Sequence, residues 1–147
     1  MKKIMFLCTG NSCRSQMAEG LARELGKNLL EVYSAGLNPQ GVNLKAVSVM
    51  KEISIDISHQ ISKQIDENLL NQMDIVITLC DNAGESCPWT PPHIKRLHWS
   101  LNDPAQSSGT EEEIMNEFRR VRDDIKTRIM NLIEEIKNGQ EIEGVRS

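Results

Sequence analysis

A segment with a cysteine at one end and an arginine at the other constrains the fold more than any other feature of the chain. The segment runs from Cys8 to Arg14 and directly follows the short apolar run Ile4–Leu7. A helical spacing of apolar residues begins after it, at Met17 and Leu21. A buried strand that ends in small polar residues and leads into a helix aims backbone N–H groups and a helix dipole at one point. The sequence therefore predicts an oxyanion site at this turn, with Cys8 as an easily ionised nucleophile and Arg14 as a forked donor.

Length and composition indicate one globular domain. With 147 residues, 39% of them hydrophobic, the chain is long enough to bury a core, and we expect a single domain over residues 1–147. The net charge of −4 argues against a nucleic-acid partner. No apolar run reaches the roughly 18 residues of a membrane span. The basic and apolar residues at the start are too few for a secretory signal, so we expect a cytoplasmic protein, monomeric by default, with reduced cysteines.

Short apolar runs alternate with helical patterns along the chain. Strands are predicted at residues 3–7, 29–34, 73–79 and 94–99, and helices at residues 12–25, 43–51, 66–72 and from Thr110 onward. Residues 53–63 have no clear pattern, and residues 80–93 favour a loop or a short movable helix. The alternation predicts an α/β fold, a three-layer sandwich around a four-stranded parallel sheet, with a ligand crevice at the carboxyl end of the first strand.

The residues inside the turn support this interpretation of Cys8. A lone cysteine is often a buried structural residue, but Gly10 and Asn11 both accept left-handed backbone and so favour a tight anion-binding turn. Ser15 either donates its hydroxyl to the Cys8 thiolate or is an ordinary first-turn helix residue. Cys13 more often packs in the core, and we favour that structural role for its side chain. The predicted substrate-binding set is the whole turn: Thr9, Gly10, Asn11, Ser12, Cys13, Arg14 and Ser15.

Cys80 and Cys87 form a second constellation. Cys80 follows the predicted strand 73–79, and it would lie near Cys8 if that strand is the neighbour of the first. The spacing to Cys87 exceeds the two to four residues typical of zinc ligand pairs, so we expect no metal. Two unrelated thiols remain an alternative. We favour a relay in which thiol–disulfide exchange moves oxidation from the site to the surface.

Asp103 is the candidate acid. It lies with Pro104 beyond the last predicted strand, on a loop that can reach the same crevice. An Asp-Pro pair alone more often opens a turn. Beside the Cys8 loop we favour a carboxylic acid that protonates a leaving oxygen. The three histidines have no metal-ligand spacing and are interpreted as structural or surface groups.

These motifs together resemble the thioredoxin-coupled arsenate reductases, whose fold is that of the low-molecular-weight protein tyrosine phosphatases. The matching segments extend over nearly the whole chain and comprise Cys8–Glu19, Tyr33–Gly36, Val76–Cys80, Cys87–Pro88, His98–Trp99 and Asp103–Pro104. The resemblance implies arsenic detoxification by reduction of arsenate to arsenite. It also implies that no cofactor is tightly bound and that thioredoxin is the electron donor.

The resemblance also assigns roles within the reaction. It implies that Cys8 attacks arsenate while Arg14 and the loop amides hold the oxyanion and Asp103 assists the loss of a hydroxyl. Cys80 then attacks Cys8 and arsenite is released. Cys87 attacks Cys80, and thioredoxin reduces the resulting Cys80–Cys87 disulfide.

At one position the chain departs from this pattern. Some relatives are similar in having a potassium site built from groups that match Asn11, Glu19 and Ser34, with an aspartate aligned near Lys63. Lysine stands at that position here. We expect the Lys63 ammonium to replace the cation, neutralising Glu19 and bracing Asn11.

A phosphatase is the main alternative function. The same loop, with Arg14 and Asp103, can hydrolyse phosphate esters through a phosphocysteine, and a weak side phosphatase activity is compatible with it. Such an enzyme uses water in place of Cys80 and favours aromatic walls, whereas aromatic residues make up only 3% of this chain. A non-catalytic oxyanion sensor or a phosphocysteine carrier would have no use for the pair Cys80 and Cys87.

Overall fold

The computed structural model describes residues 1–79 and 89–139. Residues 80–88 and 140–147 lie outside the described residues, so the predictions for Cys80 and Cys87 fall outside them as well. The elements are, in chain order, β1 (Lys2–Cys8), α1 (Arg14–Leu25), β2 (Leu30–Gly36), α2 (Leu44–Lys51), α3 (Glu67–Leu70), β3 (Ile75–Thr78), β4 (Lys95–His98), a 3-10 turn (Pro104–Gln106) and α4 (Glu111–Lys137).

Four parallel strands form a central sheet in the order β2-β1-β3-β4. The central strand β1 is buried from Ile4 to Cys8, as expected for a parallel strand covered on both faces. Its last residue, Cys8, pairs with Gly36 of β2, and Leu7 pairs with Thr78 of β3. The α/β fold with a four-stranded parallel sheet is therefore confirmed, and so is the adjacency of the first and third strands.

Alternate residues of β1 face two different hydrophobic cores, one on each side of the sheet. Ile4 and Phe6 face the larger core, which α1, α2 and α4 cover, while Met5 and Leu7 face a smaller core that includes Leu70 of α3. The two cores on either side of the sheet confirm the predicted three-layer arrangement. No helix within the described ranges combines the length and the apolar character that crossing a membrane requires.

The long helix α4 begins and packs as its sequence predicts. Thr110 and Glu113 form a reciprocal capping box at its start. Its apolar residues, at steps of three and four along the sequence, face the core, with Ile114 and Ile136 partly buried at the ends and the others buried: Phe118, Val121, Ile125, Ile129 and Leu132.

An ion-pair cluster joins α4 to the end of α2. Arg119 donates to the Glu52 carboxylate from Nε at 3.0 Å and from Nη2 at 2.8 Å. Arg122 donates from Nη1 to the same carboxylate at 2.9 Å and to the carbonyl of Val49 at 2.8 Å. Because Asn43, the residue that caps α2, donates its N–H to the carbonyl of Ser12, this cluster also supports the loop after β1.

Residues 53–63, for which the sequence has no clear pattern, run beside that same loop. Gln64 forms an isolated parallel bridge with Gly36 on the outer edge of β2. We call residues 60–64 the bracing segment, because Ser62 bonds the backbone of the Cys8 loop and Lys63 bonds the side chain of Asn11 in that loop. The predicted helix at 66–72 is shorter than expected: Asp66 caps it by accepting from the N–H groups of Asn68 and Leu69, and it ends at Leu70.

Candidate active site

Cys8 lies at the centre of the carboxyl edge of the sheet. It is buried as the last residue of β1, whereas Thr9, Gly10 and Ser12 are partly exposed around it. Asn11 is buried and has a left-handed backbone, with φ of 44°. The loop between β1 and α1 therefore reverses the chain within a few residues and carries the cysteine at its base.

The expectation of left-handed backbone is confirmed for Asn11 and wrong for Gly10. Gly10 does not have a positive φ. Instead, a β-carbon at this position would come within 2.8 Å of the Gln40 side chain, because the backbone N–H of Gln40 donates to the Gly10 carbonyl at 2.9 Å. Gly10 is thus favoured by the close approach of a neighbouring segment and not by its dihedral angles.

The carbonyl groups of the loop are held from outside. Asn38 donates its N–H to the carbonyl of Thr9, and Asn43 donates to that of Ser12. Ser62 Oγ lies 3.0 Å from the Gly10 carbonyl oxygen and 2.8 Å from that of Asn11. Fixing the carbonyls in this way orders the backbone, and the N–H groups of such a compact loop are the usual ligands of an oxyanion.

Helix α1 begins at Arg14 and not at the predicted residue 12, because Ser12 and Cys13 belong to the loop. The side chain of Cys13, the N-cap residue, accepts no hydrogen bond from the first turn. Since the first amides of a helix have no acceptor inside the helix, this end of α1 favours an anion. The N-terminus of α1 thus lies next to the loop that begins at Cys8.

The Arg14 guanidinium is buried at the site with one donor unused. Its Nη1 donates to the carbonyl of Leu101 at 3.0 Å and lies 3.5 Å from that of Leu79. Its Nε has no hydrogen-bond partner although it is buried. A buried donor without an acceptor is costly, and an oxyanion on the loop would satisfy it.

Asp103 reaches the same place from the loop that follows the edge strand β4. Its Oδ2 lies 3.5 Å from Nη2 of Arg14, and its Oδ1 accepts from the N–H of Ala105 at 3.0 Å. The second bond caps the 3-10 turn that starts at Pro104. One oxygen of Asp103 therefore caps the turn, and the other faces the arginine, a position compatible with the predicted acid.

Cys13 has the structural environment predicted for it. Its side chain is buried in the larger core, and burial, with a smaller contribution from the Asp103 charge, raises the pKa of the thiol to about 12. This thiol stays protonated at neutral pH, so it does not compete with Cys8 as a nucleophile.

Ser15 is fully buried and is not an ordinary first-turn residue. Its Oγ accepts from Nδ2 of Asn11 at 2.8 Å. Because the amide supplies the proton of this bond, the serine hydroxyl keeps its own proton for donation. The arrangement is compatible with the predicted donation to Cys8.

The four residues of the expected cation-site remnant lie together. Nδ2 of Asn11 donates to Ser34 Oγ at 2.9 Å, and Ser34 Oγ donates to Glu19 Oε1 at 2.5 Å. The Lys63 ammonium lies 3.6 Å from the same Glu19 oxygen, and the Lys63 N–H donates to Asn11 Oδ1 at 2.8 Å. With an ammonium beside Glu19 and with the Asn11 amide oxygen already bonded, this group does not fit a resident metal ion. Across residues 1–79 and 89–139, no cluster of three acidic, histidine or cysteine side chains is arranged to hold a metal.

The histidines lie away from the loop. His59 and His93 are exposed. Nδ1 of His98 lies 2.6 Å from Oγ1 of Thr78, which joins the ends of β3 and β4.

Sequence reasoning missed two groups that shape the site. A β-carbon on Gly36 would come within 2.8 Å of the Asn11 nitrogen and the Thr9 oxygen, so the loop rests directly on this glycine. Gln60 and Ser62 were also missed, although Gln60 bonds Gln16 at 2.7 Å and Ser62 bonds the loop. The signal for Gly36 was a glycine two residues after a predicted strand, while the bracing segment has no periodic signal.

Comparison with a model of a known protein family identifies the family of this chain. The model described as low molecular weight phosphotyrosine protein phosphatase matches residues 3–141. The chain belongs to this phosphatase family. Within the low molecular weight phosphatase family it is similar to the arsenate reductase of Bacillus subtilis (strain 168), with 54% identity over 133 residues that cover 90% of this chain and 96% of the relative. The resemblance drawn from the sequence motifs is thereby confirmed.

Solved structures of arsenate reductases have the same fold as this chain. An arsenate reductase in the oxidized state superposes with a TM-score of 0.78 at 42% identity, covering 92% of this chain and 99% of that chain. A thioredoxin-dependent arsenate reductase of Corynebacterium glutamicum superposes with a TM-score of 0.78 at 25% identity, covering 95% of this chain and 64% of that one.

Proposed function

We propose that this protein reduces arsenate to arsenite and that thioredoxin returns the oxidised enzyme to its reduced form. We also propose that it acts in the cytoplasm as a monomer. The observation that carries the proposal is the Cys8 loop with Arg14 facing Asp103, in a chain 54% identical to an arsenate reductase. Arsenate is a tetrahedral oxyanion, and the loop, the start of α1 and the unused Arg14 Nε offer donors suited to that shape.

The first step is substitution at arsenic. The Cys8 thiolate forms a bond to As(V), the bond from arsenic to one hydroxyl group breaks, and that hydroxyl leaves as water after it takes a proton. Asp103 is the proton donor in this step, since its carboxyl lies beside Arg14 at the exposed side of the loop. Arg14 and the loop amides hold the remaining oxygens, where negative charge accumulates.

The second step is the two-electron reduction. The Cys80 thiolate attacks the Cys8 sulfur, a Cys8–Cys80 disulfide forms, and the electron pair of the broken S–As bond stays on arsenic as As(III). Cys87 then attacks Cys80 and releases the Cys8 thiolate. Thioredoxin reduces the Cys80–Cys87 disulfide and supplies the two electrons of the cycle.

Two observations support this relay. Leu79, the residue directly before Cys80, donates its N–H to the carbonyl of Leu7 at 2.9 Å and so lies beside the strand that carries Cys8. The similar Corynebacterium glutamicum protein is a thioredoxin-dependent arsenate reductase. A third thiol is useful where a disulfide has to leave the site for a partner.

The test is arsenate-dependent NADPH oxidation in the presence of thioredoxin and thioredoxin reductase. Wild type should turn over, and Cys8→Ser, Cys80→Ser and Cys87→Ser should each abolish turnover. The Cys87→Ser variant should accumulate a Cys8–Cys80 disulfide. Mass spectrometry of peptides prepared after alkylation of the free thiols would detect it. Turnover that survives in Cys80→Ser or Cys87→Ser would contradict the relay.

Phosphate monoester hydrolysis is the second candidate, favoured by the family match over residues 3–141. A phosphatase needs Cys8, Arg14 and Asp103 but neither Cys80 nor Cys87. If phosphate release is the main activity, p-nitrophenyl phosphate turnover persists in Cys80→Ser and Cys87→Ser, and no arsenate-linked NADPH oxidation occurs. Under the reductase proposal, this hydrolysis is only a weak side activity.

A further inference from the structure

Glu19 is a buried carboxylate beside the Cys8 loop that takes no part in the proposed reaction. Its side chain is only 5% exposed, on the face of α1 that meets β2. A carboxylate this deep is stable only if hydrogen bonds and opposite charges compensate for its lost hydration. Ser34 supplies a hydrogen bond to Oε1.

Two cations of the chain supply the charge. Nη1 of Arg23 lies 2.8 Å from Oε2 of Glu19, and Nζ of Lys63 lies 3.6 Å from Oε1. Each cation is also anchored to a backbone carbonyl. Arg23 donates from Nη2 to Val32 at 3.1 Å, and Lys63 donates from Nζ to Ile61 at 2.6 Å.

Lys63 reaches the Cys8 loop by two routes. Its backbone N–H donates directly to Oδ1 of Asn11, the left-handed residue of the loop. Its ammonium acts through Glu19 and Ser34, whose hydroxyl accepts from Nδ2 of Asn11. Residue 63 therefore bonds the Asn11 amide oxygen directly and acts on the amide nitrogen through Glu19 and Ser34.

We infer that the Lys63 ammonium is a positioning group that stands in place of a bound alkali cation. The oxygens that such a cation would need are already used: Glu19 Oε1 by Lys63 and Ser34, the Ile61 carbonyl by Lys63, and Asn11 Oδ1 by a backbone N–H. The loop geometry is then set by covalently attached charges and does not respond to potassium. The kinetic part of this inference rests on the proposed function, whereas its binding and stability parts do not.

The experiment compares 100 mM potassium chloride with 100 mM choline chloride, which has the same ionic strength and a cation too large for the site. We measure the melting temperature, the dissociation constant of inorganic phosphate as an oxyanion probe, and kcat/KM for arsenate. Wild type should give the same three values in both salts. A clear rise in wild-type activity or phosphate affinity with potassium would overturn the inference.

Lys63→Asp is the variant that should create a potassium response. It replaces the ammonium with a second carboxylate beside Glu19, and a cation between the two carboxylates would relieve their repulsion and restore the support of Asn11 through Ser34. We expect phosphate affinity to fall about tenfold or more in choline chloride and to recover in potassium chloride, with the melting temperature rising by about 3 °C or more on the same change. Lys63→Arg keeps the positive charge and should remain indifferent to potassium.

Lys27→Asp is the matched control. Lys27 also pairs with a glutamate, Glu24 at 3.3 Å, but both side chains are more than half exposed and lie away from the loop. The charge change is the same, and no potassium response should follow. If Lys63→Asp does not fold, Lys63→Met decides, because it removes the ammonium and leaves the Glu19 oxygen open to a cation. Absence of a potassium response in Lys63→Asp, or in Lys63→Met where Lys63→Asp does not fold, would overturn the inference.

The readouts separate this inference from the proposed function. If wild type fails to reduce arsenate, phosphate affinity and melting temperature still report the potassium response of each variant. If wild type reduces arsenate but its activity rises with potassium, the reductase proposal stands and the role of Lys63 is wrong.

Discussion

Arg14 and Asp103 face each other at the Cys8 loop, with Nη2 of the arginine 3.5 Å from Oδ2 of the aspartate. The two residues are far apart in the sequence: Arg14 begins α1, and Asp103 precedes the 3-10 turn after β4. Arg14 is buried and still has an unused donor, while Asp103 is about one-third exposed. An oxyanion that enters the loop would therefore meet the fork of the arginine on one side and a carboxyl that can exchange protons with water on the other.

Asp103→Asn should slow catalysis without removing the oxyanion site. Asparagine still accepts from the Ala105 N–H, so the 3-10 turn is kept, but it donates no proton to a leaving oxygen. We expect kcat for arsenate to fall by about 10²-fold or more, because general acids typically contribute that much. The dissociation constant of phosphate, measured by calorimetry, should not rise by a comparable factor.

The control for this variant is Asp56→Asn. Asp56 accepts from the N–H of Ser58 at 2.8 Å in the same local geometry, but it is exposed and lies away from Arg14. Its kcat should equal that of wild type. An unchanged kcat in Asp103→Asn would remove Asp103 from the mechanism and leave only its role in the turn.

Gly36→Ala should damage the Cys8 loop. The added methyl group would lie 2.8 Å from the Asn11 nitrogen and the Thr9 oxygen, both backbone atoms that cannot move without displacing the loop. We expect phosphate affinity to fall by at least tenfold, alongside a stability loss of about 1–3 kcal/mol that is typical of overpacking. Calorimetry with phosphate and urea unfolding measure the two effects.

Gly20→Ala separates these two effects. A methyl group on Gly20 would meet the Ile57 side chain at 2.6 Å in the core behind α1, away from the loop carbonyls. It should reduce stability by a similar amount while phosphate affinity of the folded protein stays near the wild-type value. If both glycine variants lose affinity in proportion to stability, the contact of Gly36 with the loop has no special role.

The buried thiol of Cys13 should make stability fall at high pH. Its pKa is raised to about 12 in the folded protein, whereas a cysteine in the unfolded chain has its ordinary pKa of 9.0. Between these values the unfolded state holds fewer protons than the folded state, so stability falls as pH rises through that range. Relative to Cys13→Ala, wild type should lose about 1.4 kcal/mol between pH 8 and pH 10.

Urea unfolding of both proteins at each pH measures this difference, since the other titrating groups are shared. Cys13→Ala should have the flatter profile. A second check is alkylation by iodoacetamide at pH 8, in which Cys13 should react only after the protein unfolds. Parallel stability profiles would mean that the Cys13 thiol does not stay protonated in the fold.

The sequence was sufficient for the sheet, the helices and the core of the site. Apolar runs and helical spacing identify β1 and α4 because their side chains are selected by burial, and the Cys8 loop is recognisable from residue types within one short segment. Asp103 was identified only by its neighbour Pro104 and its place after a strand.

The bracing segment was not predictable by the same means. Its Ser62 side chain and its Lys63 N–H bond another loop and do not pack in a core, so no period of two or 3.6 residues appears in its sequence. The wrong reason assigned to Gly10 has the same origin. Its close neighbour, Gln40, is thirty positions away in the chain, and a contact of that kind has no local signature.

Ser62→Ala tests whether the bracing segment acts on the oxyanion site. The variant removes one hydroxyl proton that the carbonyls of Gly10 and Asn11 share, while other donors to both carbonyls remain. We expect a stability loss of about 1 kcal/mol and a decrease in phosphate affinity of about fivefold. Ser58→Ala removes an exposed hydroxyl a few residues earlier, away from the loop carbonyls, and should change neither value by much. If Ser62→Ala lowers stability but leaves phosphate affinity unchanged, the segment supports the fold without shaping the anion site.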